Sequence, residues 1–258
     1  IYSRIYILMK VKNIKSFIEF YKNLGITTSI TNSVRHNNKN LSYQDFSLNN
    51  LEKDKIVRQN NQSLSKKTKL ELLKSKVKDI NCDLKDIATN LVFSDGNIDS
   101  EIMLIGEAPG ADEDRNGKPF VGEAGKLLDK MLSLIDLSRE KNFYVTNILY
   151  WRPPGNRTPN SKEISLCLDS TLEHIKIIEP KLLILVGGIA TKSLLKCQEG
   201  ITKLREKSHY YNDGNGSKIL ARAIFHPAYL LRNPIEKKRM WDDLIEIDKL
   251  ILKNNISR

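Results

Sequence analysis

The feature of this chain that most restricts its fold is the alternation of short apolar runs with longer amphipathic segments after residue 100. The apolar runs have the length of buried strands and lie at residues 101–106, 143–149, 181–187 and 218–225. Apolar residues at helical spacing mark the other segments, which are residues 122–135, residues 160–178 with an Asn or Ser cap, a segment that ends at Leu195, and residues 234–252. Strands and helices in turn predict an α/β fold, in which helices cover both faces of a parallel sheet. In such sheets ligands bind beyond the carboxyl ends of the strands, so the loops at the ends of three of the apolar runs are candidates for the binding site.

The N-terminal part of the chain differs in composition from the rest. We expect an extension over residues 1–67 and a folded domain over residues 68–258. Residues 10–24 carry apolar side chains at helical spacing and predict a short amphipathic helix. Residues 30–68 are rich in Asn, Ser, Lys and Gln, which is typical of a mobile linker. A second helix is expected at residues 68–78.

Charge and cysteine content narrow the class of protein. The net charge is +11, and residues 1–75 hold 14 Lys and Arg against 5 Asp and Glu. This excess either keeps a Lys-rich tail in solution or attracts a polyanion such as DNA. No apolar run is long enough to span a membrane. The three cysteines, Cys82, Cys167 and Cys197, give no disulfide framework, so we expect a reduced, cytoplasmic setting. We also expect a monomer.

The first candidate loop covers residues 106–122 (GEAPGADEDRNGKPFVG). Its Gly and Pro residues permit a tight turn with exposed backbone N–H groups. Phosphate binding is disfavoured, because the loop carries four carboxylates, at Glu107, Asp112, Glu113 and Asp114. A pocket for a nucleobase is the better interpretation, since amides can bind the base edge while a carboxylate positions water. Phe120 belongs either to the core or to a surface that stacks on the base.

The second candidate loop is VTNILYWRPPGNRTP at residues 145–159, which begins within the apolar run at 143–149. Asn147 is either a turn former or a buried amide that needs hydrogen-bond partners. Its side chain offers a donor and an acceptor, which match O4 and N3–H of uracil. The prolines of RPPGNRTP stiffen the next stretch, which places Arg152, Asn156 and Arg157 where they can contact phosphate. The alternative for this stretch is a solvated proline turn.

The third candidate loop is FHPAYLLRNP at residues 225–234. A His at the end of a strand is more often structural than catalytic, but His226 heads a loop that also carries Tyr229. Exposed leucines cost solubility unless they pack inward or enter a partner, and Leu230 or Leu231 is suited to wedging into a base stack. Arg232 can hold a phosphate beside such a wedge.

Together these three motifs, in this order and spacing, closely resemble those of the family 4 uracil-DNA glycosylases, over about residues 78–250. The resemblance implies a three-layer α/β/α sandwich with a central four-stranded parallel sheet. It also implies removal of uracil from DNA by hydrolysis of the N-glycosidic bond, with uracil-containing DNA as the partner. The resemblance implies a uracil pocket lined by Gly106, Glu107, Ala108 and Gly110, in which Glu107 positions water. It implies that Phe120 stacks on the base, that Asn147 binds the base edge and that His226 donates toward uracil O2. It also implies that Leu230 or Leu231 fills the gap in the duplex.

The chain departs from that family at its metal site. The family typically holds a [4Fe-4S] cluster through four cysteines, of which only Cys82 and Cys167 remain here. Asp79 stands at the first position and Trp151 at the third, and an indole cannot coordinate iron. We therefore expect no intact cluster, with Trp151 filling the space by apolar packing. Ala228 stands where the family's His-Pro-Ser would place a serine.

Two other functions stay open on the sequence alone. The missing cluster ligands and the basic extension are also compatible with a non-catalytic DNA-binding relative. The shape of the pocket, which the sequence does not show, decides between uracil and another damaged base such as hypoxanthine or an oxidised pyrimidine. The short helix at residues 10–24 and its linker suggest a tether to a replication or repair protein, although a helix that packs on its own domain explains them equally well.

Overall fold

The structure is a computed structural model, and it describes residues 64–213, 216 and 218–258. The helix expected at residues 10–24 and nearly all of the linker expected at 30–68 lie outside the described residues. The expected helix at residues 68–78 is confirmed and begins slightly earlier. It is α1 (Lys66–Lys78), and its N-terminal cap is Ser65, whose hydroxyl accepts from the Thr68 backbone N–H.

Within the described residues, six strands form a single sheet in the order β1-β3-β2-β4-β6-β5. The strands are β1 (Asp95–Gly96), β2 (Ile102–Gly106), β3 (Tyr144–Asn147), β4 (Leu182–Val186), β5 (Ser208–Asn212) and β6 (Lys218–Ile224). The four apolar runs correspond to β2, β3, β4 and β6, which lie side by side and are parallel. The predicted parallel centre is therefore present.

The sheet is mixed, however, which corrects the expectation of four parallel strands only. The two edge strands, β1 and β5, pair antiparallel with β3 and β6. β1 has two residues, and β5 is largely exposed apart from Tyr211. Short or polar strands of this kind protect the edges of an apolar sheet from pairing with another chain.

The helices fill both faces of the sheet, as the alternating sequence predicts. The remaining helices are α2 (Asp83–Ile87), α3 (Ala111–Asn116), α4 (Glu123–Leu132), α5 (Ser161–Ile178), α6 (Gly188–Leu195), α7 (Ile201–Leu204), α8 (Pro227–Arg232) and α9 (Lys237–Lys253). One apolar cluster joins α4 and α9 to the sheet, and the other joins α1 and α5 to its opposite face. The three-layer α/β/α sandwich is thereby confirmed. None of the described helices combines the length and apolar character that a membrane span requires.

The side chains of β2 show why this sheet must be covered on both sides. Ile102 and Leu104 belong to one apolar cluster, whereas Met103 and Ile105 belong to the other. All four are fully buried. Successive side chains of a strand point to opposite faces, so a strand that is apolar throughout can be stable only between two layers of helices.

A buried charge cluster ties α9 to the end of the sheet that carries the third loop. The Asp243 carboxylate accepts from Arg205 Nε at 2.7 Å and from Arg222 Nη2 at 3.3 Å. Arg205 also lies over the Phe225 ring, 4.9 Å from its centroid. Since Phe225 directly precedes His226, these contacts fix where the third loop leaves β6.

Candidate active site

The carboxyl ends of the parallel strands bring the first and second loops together. Gly106, the last residue of β2, lies opposite Asn147, the last residue of β3. A Cβ placed on Gly106 would lie 2.4 Å from both Asn147 Oδ1 and Phe120 Cζ. Only glycine therefore fits at position 106, because any side chain would displace the amide or the ring.

The amide of Asn147 is buried and incompletely satisfied. Its residue is 2% exposed, and Oδ1 has no hydrogen-bond partner among the described residues. Buried polar atoms are nearly always paired, so an orphan acceptor at the end of a strand calls for a ligand donor. Of the two alternatives for Asn147, the geometry supports a buried amide that needs hydrogen-bond partners and not a turn former.

His226 closes the same site from the third loop. It caps α8, and its Nδ1 accepts from the Ala228 backbone N–H at 3.2 Å. A ring whose Nδ1 accepts carries its proton on Nε2 when it is neutral. Burial, with a smaller contribution from Arg232, lowers the pKa of His226 to about 4, while Glu113 acts in the opposite direction. The imidazole is thus a neutral donor at physiological pH.

His226 also lies near the base-stacking candidate and a neighbouring glycine. Its ring centroid is 5.9 Å from that of Phe120, with 33° between the ring planes. Gly187, with a φ of +92°, packs against it, and a Cβ on that residue would come within 3.1 Å of His226 Cβ. Phe120 belongs to the first loop, Asn147 ends β3 and His226 follows β6, so three separate parts of the chain meet at one edge of the sheet.

Three of the four carboxylates in the first loop are engaged in local structure. Asp112 pairs with Arg115 at 3.0 Å, and Asp114 is buried and accepts from the backbone N–H groups of Thr89 and Asn90. Glu113 accepts from three backbone N–H groups of its own loop.

Glu107 is the fourth carboxylate, and it has no hydrogen-bond partner among the described residues. Burial raises its pKa, and no compensating contact lowers it. Because Glu107 is partly desolvated and makes no hydrogen bond that stabilises the fold, it is the carboxylate of the four that remains available for chemistry. Ala108, beside it, is partly buried and packs against an apolar cluster, whereas Gly110 caps α3.

The proline-rich loop presents polar groups on its surface. Arg152 Nε donates to Asn156 Oδ1 at 2.7 Å, and Asn156 is exposed. The Arg157 guanidinium makes two bonds to the Glu163 carboxylate, at 2.9 and 2.5 Å, although it stays half exposed. Arg157 is thus fixed to the first turn of α5, where Asn160 is the cap.

The α8 region separates the two candidate leucines. Leu230 is fully buried in the core, which argues against the expected contact with DNA, whereas Leu231 is 44% exposed. The Tyr229 ring packs against the Phe225 ring at a tilt of 38°, with 5.2 Å between the centroids, and Arg232 is exposed. Sequence reasoning missed Ile235, which is 81% exposed in the short 3₁₀ turn after α8. An isoleucine between Pro234 and Glu236 is unusual in a polar turn, and this pattern in the sequence could have indicated an exposed apolar side chain.

The residues at the family's cluster position do not fit an iron–sulfur cluster. Cys82, Trp151 and Cys167 are buried in the same apolar cluster, while Asp79 is exposed at the end of α1. Burial, with a contribution from Cys82, raises the pKa of the Cys167 thiol to about 12. Cysteine thiolates are the usual ligands of an iron–sulfur cluster, and only two thiols are present here. In the part of the chain that the structure describes, no group of three or more His, Cys, Asp or Glu side chains is arranged to hold a metal ion.

Comparison with known proteins gives the class to which this fold and site belong. The family model described as "Uracil DNA glycosylase superfamily" matches residues 93–245. This stretch is more than half of the chain and contains all three loops of the site. The chain therefore belongs to the uracil DNA glycosylase superfamily.

Similar curated proteins define the group within that superfamily. The chain is 40% identical over 172 residues to the type-4 uracil-DNA glycosylase of Archaeoglobus fulgidus, which covers 66% of this chain and 86% of that protein. It is 39% identical over 181 residues to the enzyme of the same name from Saccharolobus solfataricus, covering 68% and 83%. The Thermotoga maritima relative, also a type-4 uracil-DNA glycosylase, is 36% identical over 187 residues, covering 71% and 95%. The expected family is thus confirmed, with type-4 proteins as its similar members.

Proposed function

We propose that this protein is a DNA repair glycosylase that hydrolyses the N-glycosidic bond of uracil in DNA, releasing uracil and leaving an abasic site. The observation that carries the proposal is the convergence of Phe120, Asn147 and His226, with an unpartnered buried amide oxygen among them. The names of the type-4 relatives support the same activity.

Base recognition in this proposal depends on Asn147. Its Oδ1 accepts from uracil N3–H, and its amino group donates to uracil O4, while the Phe120 ring stacks on the base. Cytosine presents an acceptor at N3 and a donor at C4, so it would leave both polar groups of the amide mismatched. The base must first leave the duplex, which costs a few kcal/mol and is cheapest at a mismatch.

Bond cleavage in this proposal depends on His226. As the C1′–N1 bond breaks, its electron pair moves onto the base, and negative charge develops at O2. The neutral Nε2–H group donates a hydrogen bond to that oxygen. A fixed donor in a desolvated site stabilises a developing anion far more than water does.

The water step in this proposal depends on Glu107. Its ionised carboxylate orients a water whose oxygen forms the new bond to C1′. The carboxylate accepts the proton that this water loses, and the released uracil anion later takes up a proton. Negative charge at this place also favours the cationic character that the sugar acquires.

We also propose how DNA is held. Arg152, Asn156, Arg157 and Arg232 contact phosphate, with Tyr229 beside them, and these contacts position the strand without reading its sequence. Leu231 fills the gap that the extruded base leaves. Residues 68–258 form the catalytic domain, while the basic extension at 1–67 adds non-specific attraction to DNA or binds a repair or replication protein.

We propose that this chain works without the cluster of its family, because two of the four ligand positions hold Asp79 and Trp151. The measurement is iron and sulfide content with an anaerobic absorbance spectrum of freshly purified protein. We expect less than one iron per chain together with full activity. Four irons per chain, lost in parallel with activity on chelation, would contradict this.

The proposed activity is tested with an oligonucleotide that contains one uracil, followed by alkaline cleavage of abasic sites. Strands with thymine or cytosine at that position are the controls, together with a substrate that contains hypoxanthine. We expect cleavage of the uracil strand only. Salt-sensitive DNA binding without any abasic product would indicate a non-catalytic relative, and preferential cleavage at hypoxanthine would indicate a different substrate.

A further inference from the structure

Phe120 has a backbone conformation that a phenylalanine seldom adopts. Its φ is +54°, in the left-handed region that non-glycine residues seldom adopt. The residue is buried, and its ring meets Gly106 and approaches His226. Such a conformation costs free energy and persists only where neighbouring groups fix it.

The first of these groups is Glu113. As the third residue of α3 it reaches back to the Gly110 N–H with Oε2, at 3.1 Å, which is ordinary helix capping. Its Oε1 does more, because it accepts from the N–H groups of Val121 at 2.9 Å and Gly122 at 2.8 Å. One carboxylate thus joins the start of the loop to the two peptide groups that follow Phe120.

The second group is Arg139, which binds the opposite side of the same stretch. Its Nη1 donates to the Pro119 carbonyl at 3.1 Å and its Nη2 to the Phe120 carbonyl at 2.8 Å. Asp95 at 3.0 Å and Asp129 at 2.8 Å hold the guanidinium in place. A rigid planar fork of donors suits two adjacent carbonyl groups, which a lysine could not bind in the same way.

Phe120 packs tightly against α4 and also lines an open groove. A cavity of about 660 Å³ borders Phe120, Val121 and Arg139. On the helix side the approach is tight, since a Cβ on Gly125 would lie 1.9 Å from the Phe120 carbonyl oxygen. The Phe120 backbone thus lies between a tightly packed helix and an open groove, and Glu113 and Arg139 supply the hydrogen bonds that fix it there.

We propose that Glu113 and Arg139 are positioning residues that clamp the backbone of Phe120, so that its ring stays in place to stack on the extruded base. This proposal rests on the proposed glycosylase function. The anion holds the N–H groups after Phe120, and the cation holds the carbonyl groups at and before it. Neither residue touches the substrate.

The test is a set of single and double variants in single-turnover excision of uracil. We expect Glu113→Ala to slow excision about 10²-fold, because displacing a group by about 1 Å can cost this much. Glu113→Gln keeps a neutral acceptor toward Val121 and Gly122 and is expected to recover about 10-fold of that loss. In a Phe120→Ala background, Glu113→Ala should cost less than about 3-fold more, since residues that act together are not additive.

A second readout does not need activity. Amide hydrogen exchange at residues 121 and 122 should accelerate in Glu113→Ala. Glu101→Gln is the matched control, because Glu101 also accepts a backbone N–H, from Ser257 at 2.7 Å, and pairs with Lys181, at the opposite end of β2. This control should leave excision and exchange at 121 and 122 unchanged, and thermal unfolding confirms that each variant is folded.

Several outcomes would overturn the clamp. Independent, multiplicative losses in the double variant would show that Glu113 acts elsewhere than through Phe120. Wild-type excision by a folded Glu113→Ala or Arg139→Lys variant would show that the clamp is unnecessary. If the wild type removes no uracil, the proposed function fails, and unchanged exchange at residues 121 and 122 would then overturn the clamp separately.

Discussion

At the scale of single residues, the candidate site is distinguished by polar groups that have no hydrogen-bond or ion-pair partner among the described residues. Asp112, Glu113 and Asp114 each bind a cation or backbone amides, whereas Glu107 binds neither among the described residues. Asn147 likewise keeps an acceptor free in a buried position. Groups kept desolvated and unpaired cost stability, so a protein retains them where a ligand completes them.

The first prediction concerns Glu107. Replacement by Gln should lower kcat about 10²- to 10⁴-fold with little change in KM, because the amide cannot accept the proton of water. Burial raises the pKa of Glu107 above its ordinary 4.5. Since the ionised form is the active one, kcat/KM should fall as pH decreases through this raised pKa. A Glu107→Gln variant that retained the same acid limb would contradict the assignment.

The second prediction concerns His226. Replacement by Ala should slow excision about 10²- to 10³-fold through loss of one donor to the leaving base. Because the pKa of His226 is lowered to about 4, the ring should remain neutral throughout the pH range 5–8. Titration of its ring proton signals by NMR measures this directly. A midpoint near 6.5 would mean that the ring is charged at the acid end of this pH range and would contradict the prediction.

Sequence reasoning at this scale named candidate positions, and their roles stay predictions, but it could not show the contacts that each side chain makes. The family resemblance selects Glu107 among the four carboxylates of the first loop, and the hydrogen bonds and ion pairs of the other three give a physical reason for that choice. Leu230 and Leu231 are identical as residues, and the direction in which α8 packs decides that Leu230 is buried. The role of Arg139 was invisible, because its contacts with the Phe120 loop depend on tertiary structure.

At the scale of elements, long apolar strands and capped helices were predictable, and short polar elements were not. The cap at Asn160 begins α5 where the sequence suggested. The hairpin of β5 and β6 was missed, although the sequence Asn212-Asp213-Gly214 is a strong hairpin signal. Helix α8 lies where the sequence analysis expects a loop, although Pro227 at its first position is a common start of a helix.

The third prediction concerns the exposed apolar side chains at the end of α8. Leu231→Ala should lower excision from duplex DNA about 10-fold, which corresponds to roughly 1.4 kcal/mol. Excision from single strands should change little, because no gap has to be filled there. Ile235→Ala should act in the same direction, since Ile235 is 81% exposed on the adjoining turn.

The control for this prediction is Leu252→Ala, a leucine of similar exposure on α9. It should affect neither substrate. Equal losses on single-stranded and duplex DNA for Leu231→Ala would show that this side chain supports folding or general binding rather than base extrusion.

At the scale of the whole molecule, stability depends on a sheet buried on both faces, and one buried group makes that stability depend on pH. His174 on α5 is fully buried between the Tyr144 and Tyr150 hydroxyl groups, at 2.9 and 3.3 Å. Phe93 also packs against its ring at 4.5 Å. Burial lowers the pKa of His174 to about 3.

The fourth prediction follows from that pKa. The unfolded chain binds a proton at His174 below about pH 6.5, whereas the folded protein binds it only near pH 3. The free energy of unfolding should therefore fall as pH decreases below 6.5, by about 1.4 kcal/mol per pH unit from this group. The free energy of unfolding of His174→Gln, measured by urea denaturation between pH 6 and 4, should therefore depend on pH less steeply than that of the wild type, by about this amount. Equal slopes would contradict it.

The closed packing around Trp151 has a consequence for oxidative conditions. Cys82 and Cys167 are buried, and burial raises the pKa of the Cys167 thiol, so peroxide and alkylating reagents have little access to either sulfur. Cys197, which is partly exposed, is the cysteine that such reagents reach. Uracil removal by this chain is then expected to persist in cells that are starved of iron, where a repair enzyme built on iron and sulfur loses its cofactor.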